Sequence, residues 1–163
     1  MDYTRRFMLL AVIVALVAGI ANGQILAGDA LKKAVPGSYF FAGQSAQVQA
    51  RNSVGTKTAT GKLVLAGLVD TSGYSTSIQE KYQGFLITET KVTFDGGTLD
   101  PGQYGFGFKE GKFLLMNVAA TDLFSVATQS DDSVKHAVPL KLEKDGDGYR
   151  LYAGKNYVAF KAE

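Results

Sequence analysis

Side chains able to do catalytic chemistry are scarce in this chain. His136 is its only histidine and cysteine is absent, so thiol catalysis, cysteine-bound zinc and iron–sulfur clusters are excluded. A serine–histidine–acid arrangement would need Ser125, Ser130 or Ser133 beside His136, and none of these serines has the sequence pattern of a nucleophile elbow. We therefore expect a protein without catalytic activity, and a hydrolase that uses His136 is the enzymatic alternative.

The run from Asp145 to Gly148 has the alternating carboxylates of a calcium-binding loop. Counted from Glu143, the twelfth position is Gly154, where such a loop needs a glutamate to hold the ion. A β-hairpin turn explains the same glycines. The sequence therefore predicts a hairpin here, and it predicts no metal or cofactor.

Two tyrosines and an arginine form the first candidate binding surface. Hairpin turns are predicted at Asp145-Gly146 and at Gly154-Lys155. The second turn places Tyr152 opposite Tyr157, with Arg150 beside them on the same face. Paired rings next to a charged donor can stack on a sugar or dock a protein, but such pairs also stabilise a sheet with no ligand, by up to about 1 kcal/mol. The absence of tryptophan weakens the sugar interpretation.

The same two turns predict a three-stranded meander at the C-terminus. They pair Leu142 with Tyr149 and Tyr149 with Phe160. Both turns independently place the apolar side chains on one face, which we expect to be buried. The residues of this face are Leu140, Leu142, Tyr149, Leu151, Val158 and Phe160.

Aromatic residues in the middle of the chain form the second candidate site. In one predicted strand, aromatic residues occupy every second position. A turn at Lys109-Glu110-Gly111 and a returning apolar strand follow it. In a small closed barrel, of the length that lipocalins have, these side chains would surround an apolar ligand, whereas in a sandwich they would interdigitate. The tryptophan that marks lipocalins is missing. The cavity-lining candidates are Tyr104, Phe106, Phe108, Phe113 and Leu115.

The other face of the aromatic strand is nearly bare. Gly105 and Gly107 stand between its rings. Glycine within a strand allows a ligand or another backbone to approach closely, or it allows the sharp coiling of a barrel or sandwich corner. We predict that these two glycines mark such a corner.

The remaining pattern is that of an all-β protein. Leu63–Val69 is apolar on both faces and predicts a buried strand. Gly84–Phe94 changes phase between Ile87 and Val92, so a strand there must bulge or break near Thr88–Lys91. We expect a single, mostly antiparallel domain of about eight or nine strands, either a β-sandwich or a small β-barrel.

Residues 1–23 are predicted to be a signal peptide. Two arginines precede Phe7–Gly19, an apolar run too short to span a bilayer as a helix, and Ala21-Asn22-Gly23 offers a cleavage site. Arg5-Arg6 also resembles a twin-arginine export signal, which leaves the export route open. We expect residues 24–163 to be a secreted or periplasmic β domain without a stable membrane anchor.

The charge of the chain is close to neutral. It has 17 basic and 15 acidic residues and no block of like charges, so a nucleic-acid partner is not expected. The sequence thus predicts an exported, non-catalytic binding or interaction module. Its partner is unknown and could be a protein, a glycan or a small apolar ligand.

Overall fold

A computed structural model describes residues 23–163, so the predicted signal peptide lies outside the described residues except for Gly23. Two antiparallel sheets pack face to face and are not closed into a barrel. The prediction of an all-β fold is therefore confirmed. Of the two predicted architectures, the structure is the sandwich and not the barrel. Neither helix within residues 23–163 has the length and apolar character to cross a membrane.

The strands and helices of residues 23–163 are more numerous than predicted, because several strands are only two to four residues long. The strands are β1 (Gln24–Ile25), β2 (Ser38–Phe41), β3 (Gln44–Lys57), β4 (Leu63–Val69), β5 (Gly84–Thr88), β6 (Val92–Phe94), β7 (Gly97–Leu99), β8 (Gly102–Lys109), β9 (Lys112–Asn117), β10 (Asp122–Ala127), β11 (Gln129–Ser130), β12 (Lys141–Asp145), β13 (Gly148–Ala153) and β14 (Asn156–Ala162). The helices are α1 (Gly28–Ala34) and α2 (Thr76–Gln79).

The large sheet has the order β1-β3-β4-β5-β8-β9-β10, with β2 paired to β3. The C-terminal sheet has the order β12-β13-β14-β6-β7, with β11 paired to β14. The predicted phase change in Gly84–Phe94 is a break: β5 belongs to the large sheet and β6 to the C-terminal sheet. The chain therefore passes from one sheet to the other at residues 89–91.

The main core lies between the two sheets and is rich in phenylalanine. Phe106 and Phe113 of the large sheet have ring centroids 5.4 Å apart, and Phe94 of the C-terminal sheet lies 5.6 Å from Phe113 and from Phe160. The predicted apolar face of the meander is confirmed, because all six of its side chains are buried in this core.

The first hairpin turn of the meander is offset by one residue from the prediction. Gly146 takes the first central position of the turn, with φ of +60°, so β12 continues through Asp145. Leu142 consequently lies opposite Leu151, and the predicted pairing of Leu142 with Tyr149 is wrong. The pairing differs by two residues, and side chains alternate with a period of two, so the buried face is unchanged.

A second core covers the outer face of the large sheet, where the hairpin of β2 and β3 folds over the strands. Phe41 packs on Gly105, where an added Cβ would lie 2.3 Å from its ring. At Gly107, an added Cβ would lie 2.0 Å from the backbone oxygen of Lys81. Close approach of other segments, and not the predicted corner, therefore explains the glycines of β8.

Candidate functional site

Arg150, Tyr152 and Tyr157 lie together on the outer face of the C-terminal sheet. Tyr152 is directly opposite Tyr157, and their ring centroids are 5.1 Å apart. The guanidinium carbon of Arg150 lies 4.6 Å from the centre of the Tyr157 ring, and Lys141 Nζ lies 4.5 Å from that of Tyr152. Each ring thus contacts the other ring and one cation.

A segment that we call the strap, residues 129–139, covers these two rings. The Tyr152 hydroxyl donates to Asp131 Oδ2 at 2.9 Å, and the Tyr157 hydroxyl donates to Gln129 Oε1 at 2.8 Å. Tyr152 is 1% exposed and Tyr157 is 8% exposed. The rings therefore hold the strap in place and present no open face on which a sugar could stack. Their role in ligand binding stays a prediction.

The backbone also attaches the strap: β11, its first two residues, pairs with β14, and two single bonds lie beyond that pairing. The Asp131 N–H donates to the Lys155 oxygen, and the Gly154 N–H donates to the Val138 oxygen, each at 2.9 Å. Hydrogen bonds from the hydroxyl groups of Ser133 and Tyr152 hold the pKa of Asp131 below its usual value. The carboxylate is consequently ionised at neutral pH, which strengthens its bond to Tyr152.

The predicted cavity residues belong to the packed core. Phe106, Phe113 and Leu115 are fully buried, and Phe108 lies 4.9 Å from Phe113. Tyr104 is half-buried, and its hydroxyl donates to the Asp100 oxygen at 2.7 Å. A void between the sheets, lined by other core residues, measures about 10 Å³, whereas ligand sites measure about 300–1,000 Å³. The sandwich interdigitates these side chains, so they do not enclose a ligand.

Phe108 is only partly buried and reaches the surface at one end of the sandwich. There it lines a depression of about 390 Å³ that we call the end groove. The large sheet provides one wall and the strap, through Pro139, provides part of the other. No charged residue lines the groove. Its residues are Gln49, Leu68, Val69, Thr71, Gln83, Phe108, Pro139 and Ala153.

Two glutamines of the end groove bond to the backbone near the ends of other strands. Gln83 directly precedes β5, whereas Gln49 lies within β3. β5 pairs with β8 only as far as Phe106. Beyond that point, the Phe108 N–H donates to Gln83 Oε1 at 2.8 Å, and Gln83 Nε2 donates to the Phe108 oxygen at 3.1 Å. Gln49 Nε2 likewise donates to the oxygen of Val69, the last residue of β4, at 3.2 Å. Side-chain amides therefore replace backbone partners here.

Another depression, of about 370 Å³, lies on the outer face of the C-terminal sheet and has acidic residues at its rim. Asp145 accepts a 2.8 Å hydrogen bond from Arg150, and Asp147 accepts a 2.9 Å bond from Lys161. These carboxylates are thus already paired with cations. Within residues 23–163, no group of three or more histidine, aspartate or glutamate side chains could hold a metal ion.

His136 is exposed on the strap. The Ser133 hydroxyl donates to Asp131, and none of the three candidate serines hydrogen-bonds to His136 within the part of the chain that the structure describes. The geometry therefore gives no support to the hydrolase alternative. Comparisons with protein-family models, with characterised proteins and with solved structures find no match.

Proposed function

We propose that this protein is an exported, non-catalytic binding module and that the end groove is its binding site. The observation that carries this proposal is the groove itself, whose lining mixes polar and apolar residues, includes two amide side chains held by hydrogen bonds, and has no charged residue. A concave site in which a few fixed polar groups stand beside apolar contacts is typical of ligand sites. A ligand ion would find no counter-charge in the lining, so we expect an uncharged ligand.

The position of the groove also supports this function. Strand ends of the large sheet form its floor, and the strap, bound at several points to the C-terminal sheet, forms part of its wall. Binding residues are commonly carried by loops that a rigid scaffold holds in place. Tyr152 and Tyr157 are positioning residues in this proposal, because they fix the strap that brings Pro139 to the groove. The export of the protein is inferred from the pattern of residues 1–23.

A single fluorescent reporter tests the proposal. The chain has no tryptophan, so Phe108→Trp places a single indole at the end groove. We expect its emission to change saturably on titration with either an uncharged, end-capped pentapeptide of alanine, leucine and proline or an uncharged oligosaccharide such as cellopentaose.

The matched control is Phe40→Trp, because Phe40 is 60% exposed on β2 and does not line the groove. Its emission should not respond to the same additions. A flat titration of Phe108→Trp with both kinds of ligand, or an equal response of the two reporters, would contradict the proposal.

A further inference from the structure

We infer that the ligand of the end groove is an extended polypeptide segment that is recognised through its backbone amides. This inference rests on the proposed function and specifies the chemical class of the ligand. It follows from two glutamines of the groove. Gln83 stands beyond the first residue of β5, where a neighbouring strand would otherwise supply a peptide group, and Gln49 of β3 bonds to the last residue of β4.

Gln83 binds the backbone of Phe108 as a peptide group would. Its amide oxygen accepts from the Phe108 N–H and its amide nitrogen donates to the Phe108 oxygen. This exchange of two hydrogen bonds with one residue is the arrangement of a hydrogen-bonded pair in an antiparallel sheet. β8 thus continues into the groove with its backbone paired to a side chain.

The glutamine amides keep capacity for further hydrogen bonds. Within residues 23–163, Gln49 Nε2 donates to Val69, and Gln49 Oε1 accepts from Asn52 Nδ2 at 2.8 Å. A primary amide has two N–H donors and two oxygen lone pairs, so Gln49 and Gln83 can each bond to one more peptide group. Since the two residues line one groove, they can bind successive peptide groups of an extended chain.

The rest of the lining favours a peptide over a sugar. Leu68, Pro139 and Ala153 offer apolar contacts to uncharged side chains. The ring of Phe108 is packed against Phe106 and Phe113, with centroids 6.1 and 4.9 Å away. These neighbours restrict the ring faces on which a sugar would stack.

Calorimetric titration of the purified protein tests the inference. The probes are the end-capped pentapeptide of alanine, leucine and proline, the same peptide with every free backbone amide N-methylated, and cellopentaose. We expect the unmodified peptide to bind and N-methylation to weaken binding at least about ten-fold, because it removes the backbone donors.

Gln83→Met keeps the length of the side chain and removes its amide, so it should weaken binding of the unmodified peptide about ten-fold. Gln103→Met is the matched control, because Gln103 is an exposed glutamine of β8 that does not line the groove. It should bind as the unsubstituted protein does. Thermal unfolding of both variants establishes that each is folded.

The outcomes separate this inference from the proposed function. Binding of cellopentaose alone, or equal binding of the methylated and unmethylated peptides, would overturn recognition of backbone amides and leave the groove as a binding site. Unchanged affinity of a folded Gln83→Met variant would also overturn the inference. Failure of every probe to bind would contradict both.

Discussion

Tyr82 shows how tightly the second core constrains single residues. Its side chain is 0% exposed, and its ring stacks on Phe41 with centroids 3.8 Å apart. Its hydroxyl lies near that of Tyr74 but forms no well-aligned hydrogen bond with any described residue. Burial raises the pKa of Tyr82, so the hydroxyl stays neutral, and leaving it unpaired costs about 1–3 kcal/mol. Tyr39 differs, because its hydroxyl donates to the Tyr104 oxygen at 2.9 Å.

Replacing tyrosine by phenylalanine is therefore expected to have opposite effects on stability at the two positions. Tyr82→Phe removes an unpaired polar group and should raise the free energy of unfolding by up to about 1 kcal/mol. Tyr39→Phe removes a satisfied hydroxyl and should lower it by about 1 kcal/mol. Urea denaturation of the two variants measures both changes. A marked loss of stability in Tyr82→Phe would show that its hydroxyl has a partner.

The strap is the element on which the wall of the end groove depends. It has little secondary structure of its own, so its position is determined by a few hydrogen bonds to the C-terminal sheet. The bond between Tyr152 and Asp131 is one of them, and Lys135 lies exposed in the same segment. Weakening this bond should therefore free the strap without unfolding the sandwich.

Tyr152→Phe should accelerate tryptic cleavage after Lys135 about five-fold, because loss of roughly 1 kcal/mol increases the open population by that factor. Mass spectrometry of timed digests measures this rate. Tyr149→Phe is the control, since the Tyr149 hydroxyl bonds to Thr56, away from the strap, at 3.1 Å. Equal cleavage rates in the two variants would show that the Tyr152 hydroxyl does not hold the strap.

The elements that the sequence predicted well are those determined locally. β4 has the predicted bounds because a continuous apolar run needs cover on both faces, and the meander face was predicted because turns and alternation agree. The register of the first hairpin was predicted wrongly, because an Asp-Gly-Asp-Gly run offers three glycine-containing pairs for the centre of the turn. The register is determined by Gly146, which occupies the first central position of the turn.

The end groove could not be predicted from local pattern. The sequence analysis named Phe108 as a candidate, but as a residue that lines an enclosed cavity. Gln83 binds a residue 25 positions away, and a single glutamine in a loop has no sequence signature. The burial of Tyr152 and Tyr157 likewise depends on the strap, which reaches them from another part of the chain. Such contacts follow from tertiary structure and not from spacing.

At the scale of the whole molecule, the sandwich has packed sheets and additional cover on parts of both outer faces. The β2–β3 hairpin covers the large sheet, and the strap covers the tyrosine pair of the C-terminal sheet. The end groove remains open between them, with strand ends on one side and Pro139 on the other. We expect the ligand to bind in this uncharged groove.

Mapping of amide chemical shifts by NMR locates the binding site. The purified, isotopically labelled protein is titrated with the end-capped pentapeptide and, in a second series, with cellopentaose. The predicted result is that one of these ligands moves the resonances of Gln49, Leu68, Gln83, Phe108 and Ala153 the most. Largest shifts elsewhere, for example at the exposed residues Phe40 and Val118, or no shifts in either series, would contradict this expectation.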